Sequence, residues 1–428
     1  MSPVSDNNLE ISRRRVLGTV GAAGAAGLVI GAAGGAGISA AVSGDGSETG
    51  KAGSGGSTAL STVGATEVMF HGKHQAGITT PLQSRGHLVA FDLAPGAGRK
   101  EAAALLRRWS ATAKALMAGR TASGAADTGI ALDAGPSSLT VTFGLGRTFF
   151  DRTGLAARRP GQLDPLPAFS SDALDPKRSE GDLWVQIGAD DALVAFHALR
   201  ALQKDAGEAA RVRWQMNGFN RSAGATARPM TARNLMGQVD GTNNPKPADP
   251  DFDKRIFVPQ GATGAQDWMA GGSYAVVRRI RMLLDDWERL SLDKQEKVIG
   301  RRKSDGAPLS GGTETTPLDL NKMGPDGKTV IPDNAHARIS APEQNGGAAM
   351  LRRPFSFHDG IAADGTPDAG LLFVCWQADP LRGFVPVQRK LDRGDALSPF
   401  LRHEASGLFA VPGGPAEGEY VGQRLLEA

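Results

Sequence analysis

The chain has 428 residues, 40% hydrophobic and 22% charged, a composition that excludes a disordered or membrane-embedded protein and suggests two packed globular domains. A formal net charge of +3 is too balanced for the basic face that nucleic acid demands, so nucleic-acid binding is set aside. The single cysteine, Cys375, excludes an internal disulfide and a thiolate metal cluster, and its apolar neighbours Phe373, Val374 and Trp376 suggest a buried, inert thiol.

The first element is an export pattern. Residues 12–17 read Ser-Arg-Arg-Arg-Val-Leu and precede an uncharged, weakly apolar Ala/Gly-rich run, as in a twin-arginine signal peptide over 1–41 with Ser39-Ala40-Ala41 suited to cleavage. The run is too Gly-rich for a stable membrane anchor, and residues 42–65 have the composition of a flexible linker. Export by this route predicts an extracellular, cell-wall-associated or periplasmic protein.

Strand-like alternation begins at His87–Leu93, and an apolar stripe at helical spacing follows through Leu105, Trp109, Thr112 and Leu116. Strands are expected around Leu139, Val141 and Phe143 and around Leu183, Val185 and Ile187. A helix over 190–203 starts at Asp190-Asp191, and a strand follows at Val212, Trp214 and Met216. The order is βαββαβ, the ferredoxin-like unit.

The second half repeats it: a strand through Tyr274 to Met282, a charged helix over 285–299, strands near 351–357 and 371–376, a broken helix over 383–402 and a last strand over 408–411. The expected fold class is α+β, with an N-terminal ferredoxin-like domain over 66–230 and a C-terminal one over 231–428. Segments 144–181, 217–270 and 300–349 do not fit the repeat, and long insertions of this kind usually carry function.

Two insertions hold the chemistry. Gly237-Gln238-Val239-Asp240-Gly241 sets an aspartate between glycines, which permits a tight turn and close backbone approach to a flat or bulky partner, although such clusters are more often solvent turns. Downstream lie His336, in Asn-Ala-His-Ala-Arg-Ile, and Arg352, in Met-Leu-Arg-Arg, with Arg353 as its immediate competitor. His71 and His74 have metal-like spacing, but a separate copper or zinc site there is not favoured.

Together these motifs resemble the dye-decolourising peroxidase family in its twin-arginine-exported branch. Further matches are His74-Gln75-Ala76-Gly77-Ile78, Ala90-Phe91-Asp92-Leu93 and Ile299-Gly300-Arg301-Arg302-Lys303, and the resemblance spans nearly all of 66–414. It implies tandem ferredoxin-like units in a dimeric α+β barrel-type architecture, one haem b per chain, hydrogen peroxide as oxidant and an aromatic or dye electron donor. His336 would hold the iron, Asp240 would act as distal acid/base and Arg352 would stabilise negative charge as the O–O bond breaks. An unperturbed carboxylate has a pKa of about 3.9, so activity on dyes is expected to peak at pH about 4–5.

Gly241, Thr242 and Asn243 would edge the macrocycle. Arg301, Arg302 and Lys303 are candidates for its carboxylates, with a solvated charge run as the alternative. Phe355 and Phe357 either wall the distal pocket or belong to the core. Pro354 departs from the family, where Gly or Asn is common. The carboxylate partner of His336 stays open among Asp392, Asp395 and Glu404. Bulky donors would be oxidised at the surface by electron hopping through one of six tryptophans (109, 184, 214, 268, 287, 376) or Tyr274 and Tyr420. The resemblance allows a homo-oligomer, and it carries an alternative: a haem-handling protein that releases iron from haem.

Overall fold

Strand alternation decides the architecture. The computed structural model describes residues 60–121, 127–227, 230–261 and 266–428. The signal segment 1–41 and most of the 42–65 linker lie outside the described residues, and the linker's last residues form a helical turn, Thr62–Ala65. In the first half, β1 (Arg85–Leu93), α1 (Arg99–Met117), β2 (Thr140–Gly146), β3 (Leu183–Ala189), α2 (Ala192–Ala206) and β4 (Ala210–Phe219) realise the expected βαββαβ order. Asp191 caps α2, accepting from the Leu193 and Val194 amides at 2.8 and 2.9 Å. In the second half come β5 (Ser273–Met282), α3 (Leu292–Ile299), α4 (His336–Ile339), β6 (Leu351–Arg352), β7 (Phe355–Ile361), β8 (Pro367–Gln377), α5 (Phe384–Asp392) and β9 (Leu401–Val411).

Each half pairs its strands fourth–first–third–second, the ferredoxin-like order, and the two sheets join edge to edge. Hydrogen bonds run β5–β9–β2–β3–β1–β4–β7–β8 and back from β8 to β5, so the sheet closes into a barrel, with β6 continuing β7 along β8. Closure leaves no open edge among these eight strands. Alternate residues turn inward, and Leu88, Trp184, Trp214, Phe355, Trp376 and Phe409 are part of the filling. Gly86 and Gly218 sit opposite one another on β1 and β4, where a Cβ on either would overlap Phe355. Outward residues of the first half, such as Val89, Phe91 and Val185, pack under α1 and α2. The described residues form one compact unit, because both halves share these cores.

Two expected helices change at their ends. The 285–299 helix is two pieces, Leu284–Glu288 and α3, because the Ser291 hydroxyl caps a new start; Gly300 ends α3 in the left-handed region at φ +88°. The 383–402 helix stops at Asp392. Pro399 lies in a single 3₁₀ turn, and from Leu401 the chain is already a strand pairing with β5.

Candidate active site

The outer face of β5, β8 and β9 carries the site. Ile280, Met282, Leu371, Phe373 and Leu401 point away from the barrel interior and floor a cavity of about 250 Å³, the volume open to the centres of water molecules. Insertions 217–270 and 300–349 wall it. Asp240, Gly241, Thr242, Asn243, Arg301, His336 and Arg352, seven of the residues expected to serve the site, line this one cavity.

Asp240 is presented by a tight hairpin. Arg233 and Val239 bridge, the Gly237 amide donates to Asn234 O at 2.9 Å, and Gly237 takes φ +79°, where a side chain would also strike Lys303. The Arg233 guanidinium ties the hairpin to the Lys303 and Ser304 carbonyls, and the Asp240 amide donates to Ala232 O at 2.9 Å. Gly241 follows at φ +128°, which lets the chain turn directly past the carboxylate. Asp240 Oδ1 then accepts from Arg352 Nη1 at 2.8 Å, and both side chains remain partly open to the cavity.

His336 opens the single turn of α4, with its side chain 31% exposed. Its Nδ1 lies 2.7 Å from Asp395 Oδ2, whose side chain is only 2% exposed, and Asp395 Oδ1 accepts from the Leu397 amide at 3.0 Å. Burial opposes protonation of the ring, but Asp395 outweighs it, with help from Asp240, so the imidazole pKa is raised. With Nδ1–H directed at Asp395, Nε2 is left unprotonated and able to coordinate a metal. Asp395 is thus the carboxylate partner that the sequence left open. Asp392 instead holds Ser170 and Ser171, and Glu404 pairs with Arg279.

Other candidate residues fall elsewhere. Of the cationic run, only Arg301 reaches the cavity, braced by Nη1 on the Gly306 and Glu314 carbonyls at 2.8 and 2.9 Å. Arg302 pairs with Asp305 at the surface, and Lys303 donates to Gln295. Phe355 and Phe357 fill the barrel, whereas Phe373 and Phe384 line the cavity. All six tryptophans and both tyrosines are buried, Tyr420 being the most exposed at 6%, because their rings pack in the cores. His74 stacks on Phe257 and bonds to Gly271 O, so the 71–74 spacing is structural. Burial pushes the Cys375 thiol up to about 12, as expected of an inert one.

A second cavity histidine belongs to no sequence motif. His403, on β9, is 6% exposed; burial first, and then Arg278, pushes its pKa down to about 3. The ordinary value is 6.5, so below that pH the unfolded chain binds a proton that the folded one refuses. Stability from this site is complete above pH 6.5 and is lost as pH falls towards 3. Denaturant unfolding of the ligand-free chain is expected to show a loss of about 2–3 kcal/mol from this site between pH 7 and 4.5. His403→Phe should remove that part of the pH slope, and an identical slope in the variant contradicts the assignment.

Cavity and donors fit a haem. One histidine with a carboxylate behind it faces an apolar bed, a glycine turn permits close approach, and among the described residues no three His, Cys, Asp or Glu side chains gather to hold a bare ion.

Comparison with known proteins agrees. Family models described as Dyp-type peroxidase, N-terminal, and Dyp-type peroxidase, C-terminal, match residues 75–220 and 231–416. A dye-decolorizing peroxidase of Thermobifida fusca is 46% identical over 364 residues, 82% of this chain and 84% of that protein. A deferrochelatase of Escherichia coli K12 is 34% identical over 370 residues, 83% of this chain and 86% of that protein. Among solved structures, ferric DtpA from Streptomyces lividans superposes with a TM-score of 0.84 at 76% identity, covering 87% of this chain and all of that one. A DyP-type peroxidase from Cellulomonas bogoriensis gives 0.81 at 42% identity, covering 86% of this chain and all of that one.

Proposed function

The chain belongs to the Dyp-type peroxidase family, and from that premise we propose that it uses hydrogen peroxide to oxidise phenolic or dye donors with one haem b per chain. The observation that carries this reading is the pairing of Asp240 with Arg352 at 2.8 Å on the cavity that His336 lines. When bound, haem supplies the redox chemistry that accepts oxidising equivalents from peroxide.

His336 would hold the iron through Nε2, with Asp395 fixing the tautomer and raising the basicity of the ring. Gly241, Thr242 and Asn243 would edge the macrocycle, and Arg301 would receive a carboxylate. Asp240 takes the proton from one peroxide oxygen and returns it to the other, so that water can leave. Arg352, always protonated, stabilises the negative charge that develops meanwhile. Since every tryptophan and tyrosine is buried, donors would be oxidised at the cavity mouth. The arginine motif ahead of a weakly apolar run supports export by the twin-arginine route to an extracellular, cell-wall-associated or periplasmic location.

Haem-loaded protein is expected to oxidise a phenolic donor or dye only when peroxide is present, with the porphyrin's iron retained. Release of iron-free porphyrin without peroxide, and no donor oxidation, would instead favour an iron-releasing role like that named for the deferrochelatase relatives.

A further inference from the structure

Asn244 joins the two halves of the proton-handling pair. Its side-chain amide donates to the Arg352 carbonyl at 2.7 Å, and the Arg352 amide donates back to Asn244 Oδ1 at 3.1 Å. One side chain thereby serves both backbone groups of Arg352, as a neighbouring strand would. Asn244 also closes the turn that follows Asp240, its own amide donating to Gly241 O at 3.0 Å.

The two sides are anchored unequally. Arg352 sits on β6, paired with Cys375, and the next residue locks the strand from behind: the Arg353 amide donates to Val374 O at 2.8 Å. The buried Arg353 guanidinium bonds to the carbonyls of Gly77 and Pro81 and to Gln83. The Asp240 loop is tied instead to its own hairpin, through Ala232, and to Glu314, through Thr242 at 2.9 Å. Among the described residues, the hydrogen bonds between this loop and β6 are the Asp240–Arg352 ion pair and the two made by Asn244.

We propose that Asn244 is a positioning residue that keeps the Asp240 loop in register with Arg352 independently of charge, an inference that rests on the peroxidase reading above. While Asp240 carries the peroxide proton it is neutral, and its attraction to Arg352 is then at its weakest. The Asn244 pair is uncharged, so it is unaffected and holds the carboxyl in place until the proton is returned. Without Asn244 the loop shifts and the strand stays, since β6 keeps its pairing to β8 and the grip of Arg353.

The test uses the haem-loaded full chain with Asn244→Ala and Asn244→Ser, each alone and combined with Asp240→Asn. Expected is a fall in kcat with peroxide of about 10–100-fold in each single variant, with haem absorption and Tm kept, because a misplacement of about 1 Å costs this much. In the Asp240→Asn background the same substitutions should cost less than about twofold, since residues acting as one unit are not additive. Losses that multiply in the double variants overturn the proposal. So does kcat near wild type in the single variants, or haem loss in both, which would make Asn244 a structural residue. If Asp240→Asn alone leaves turnover intact, the peroxidase reading of Asp240 falls as well.

Discussion

Asp240→Asn is expected to lower peroxide-dependent turnover by about 10²–10⁴-fold, the range a positioned acid/base group contributes. The amide has nearly the shape of the carboxylate, and the hairpin that carries it is held by backbone bonds and by Arg233, so the loop should keep its place. What is lost is the ability to take up and return a proton. Haem content should not change, because His336 and Asp395 do not depend on this side chain for their contact. Steady-state oxidation of a phenolic donor, normalised to haem absorption, measures the effect. Turnover within about threefold of wild type would place the proton transfer on another group.

Arg352→Met is expected to cost about 10²–10³-fold, comparable to removing one preorganised donor from a site of developing charge. Methionine fills similar space, and β6 is fixed through backbone groups that the substitution leaves alone. Because the charge is needed mainly as the O–O bond parts, kcat and kcat/KM for peroxide should fall together. Arg352→Lys keeps the charge without the planar fork and should recover only part of the rate. A variant that raises KM and leaves kcat alone would make Arg352 a ground-state binding residue.

Much of the fold was legible because strands buried on both faces leave an apolar signature, as in β2 and β3, where every residue is buried. Helix ends were less so. Ser291 and Pro399 act through local hydrogen bonding and fixed φ, which divide or end helices that a coarse reading runs together. The site residues Asp240, His336 and Arg352 were recognisable from motifs, and their meeting in one cavity follows from insertions that fold back over the outer face of the sheet. The partner of His336 was not, since Asp392, Asp395 and Glu404 are chemically alike and only the folded chain sets Asp395 against His336 while the other two bind Ser170 and Arg279. Phe355 and Phe357 look in the sequence like pocket walls or core alike. Strand parity decides, turning them inward on β7 while Phe373 on β8 faces the cavity.

One spectrum tests the core of this account. Wild-type protein given one equivalent of haem is expected to develop a sharp Soret band of histidine-ligated iron, and His336→Ala, otherwise folded, to lose it. An unchanged band in the variant would mean that another side chain holds the iron, and the meeting of Asp240, Arg352 and His336 on one cavity would lose its catalytic meaning.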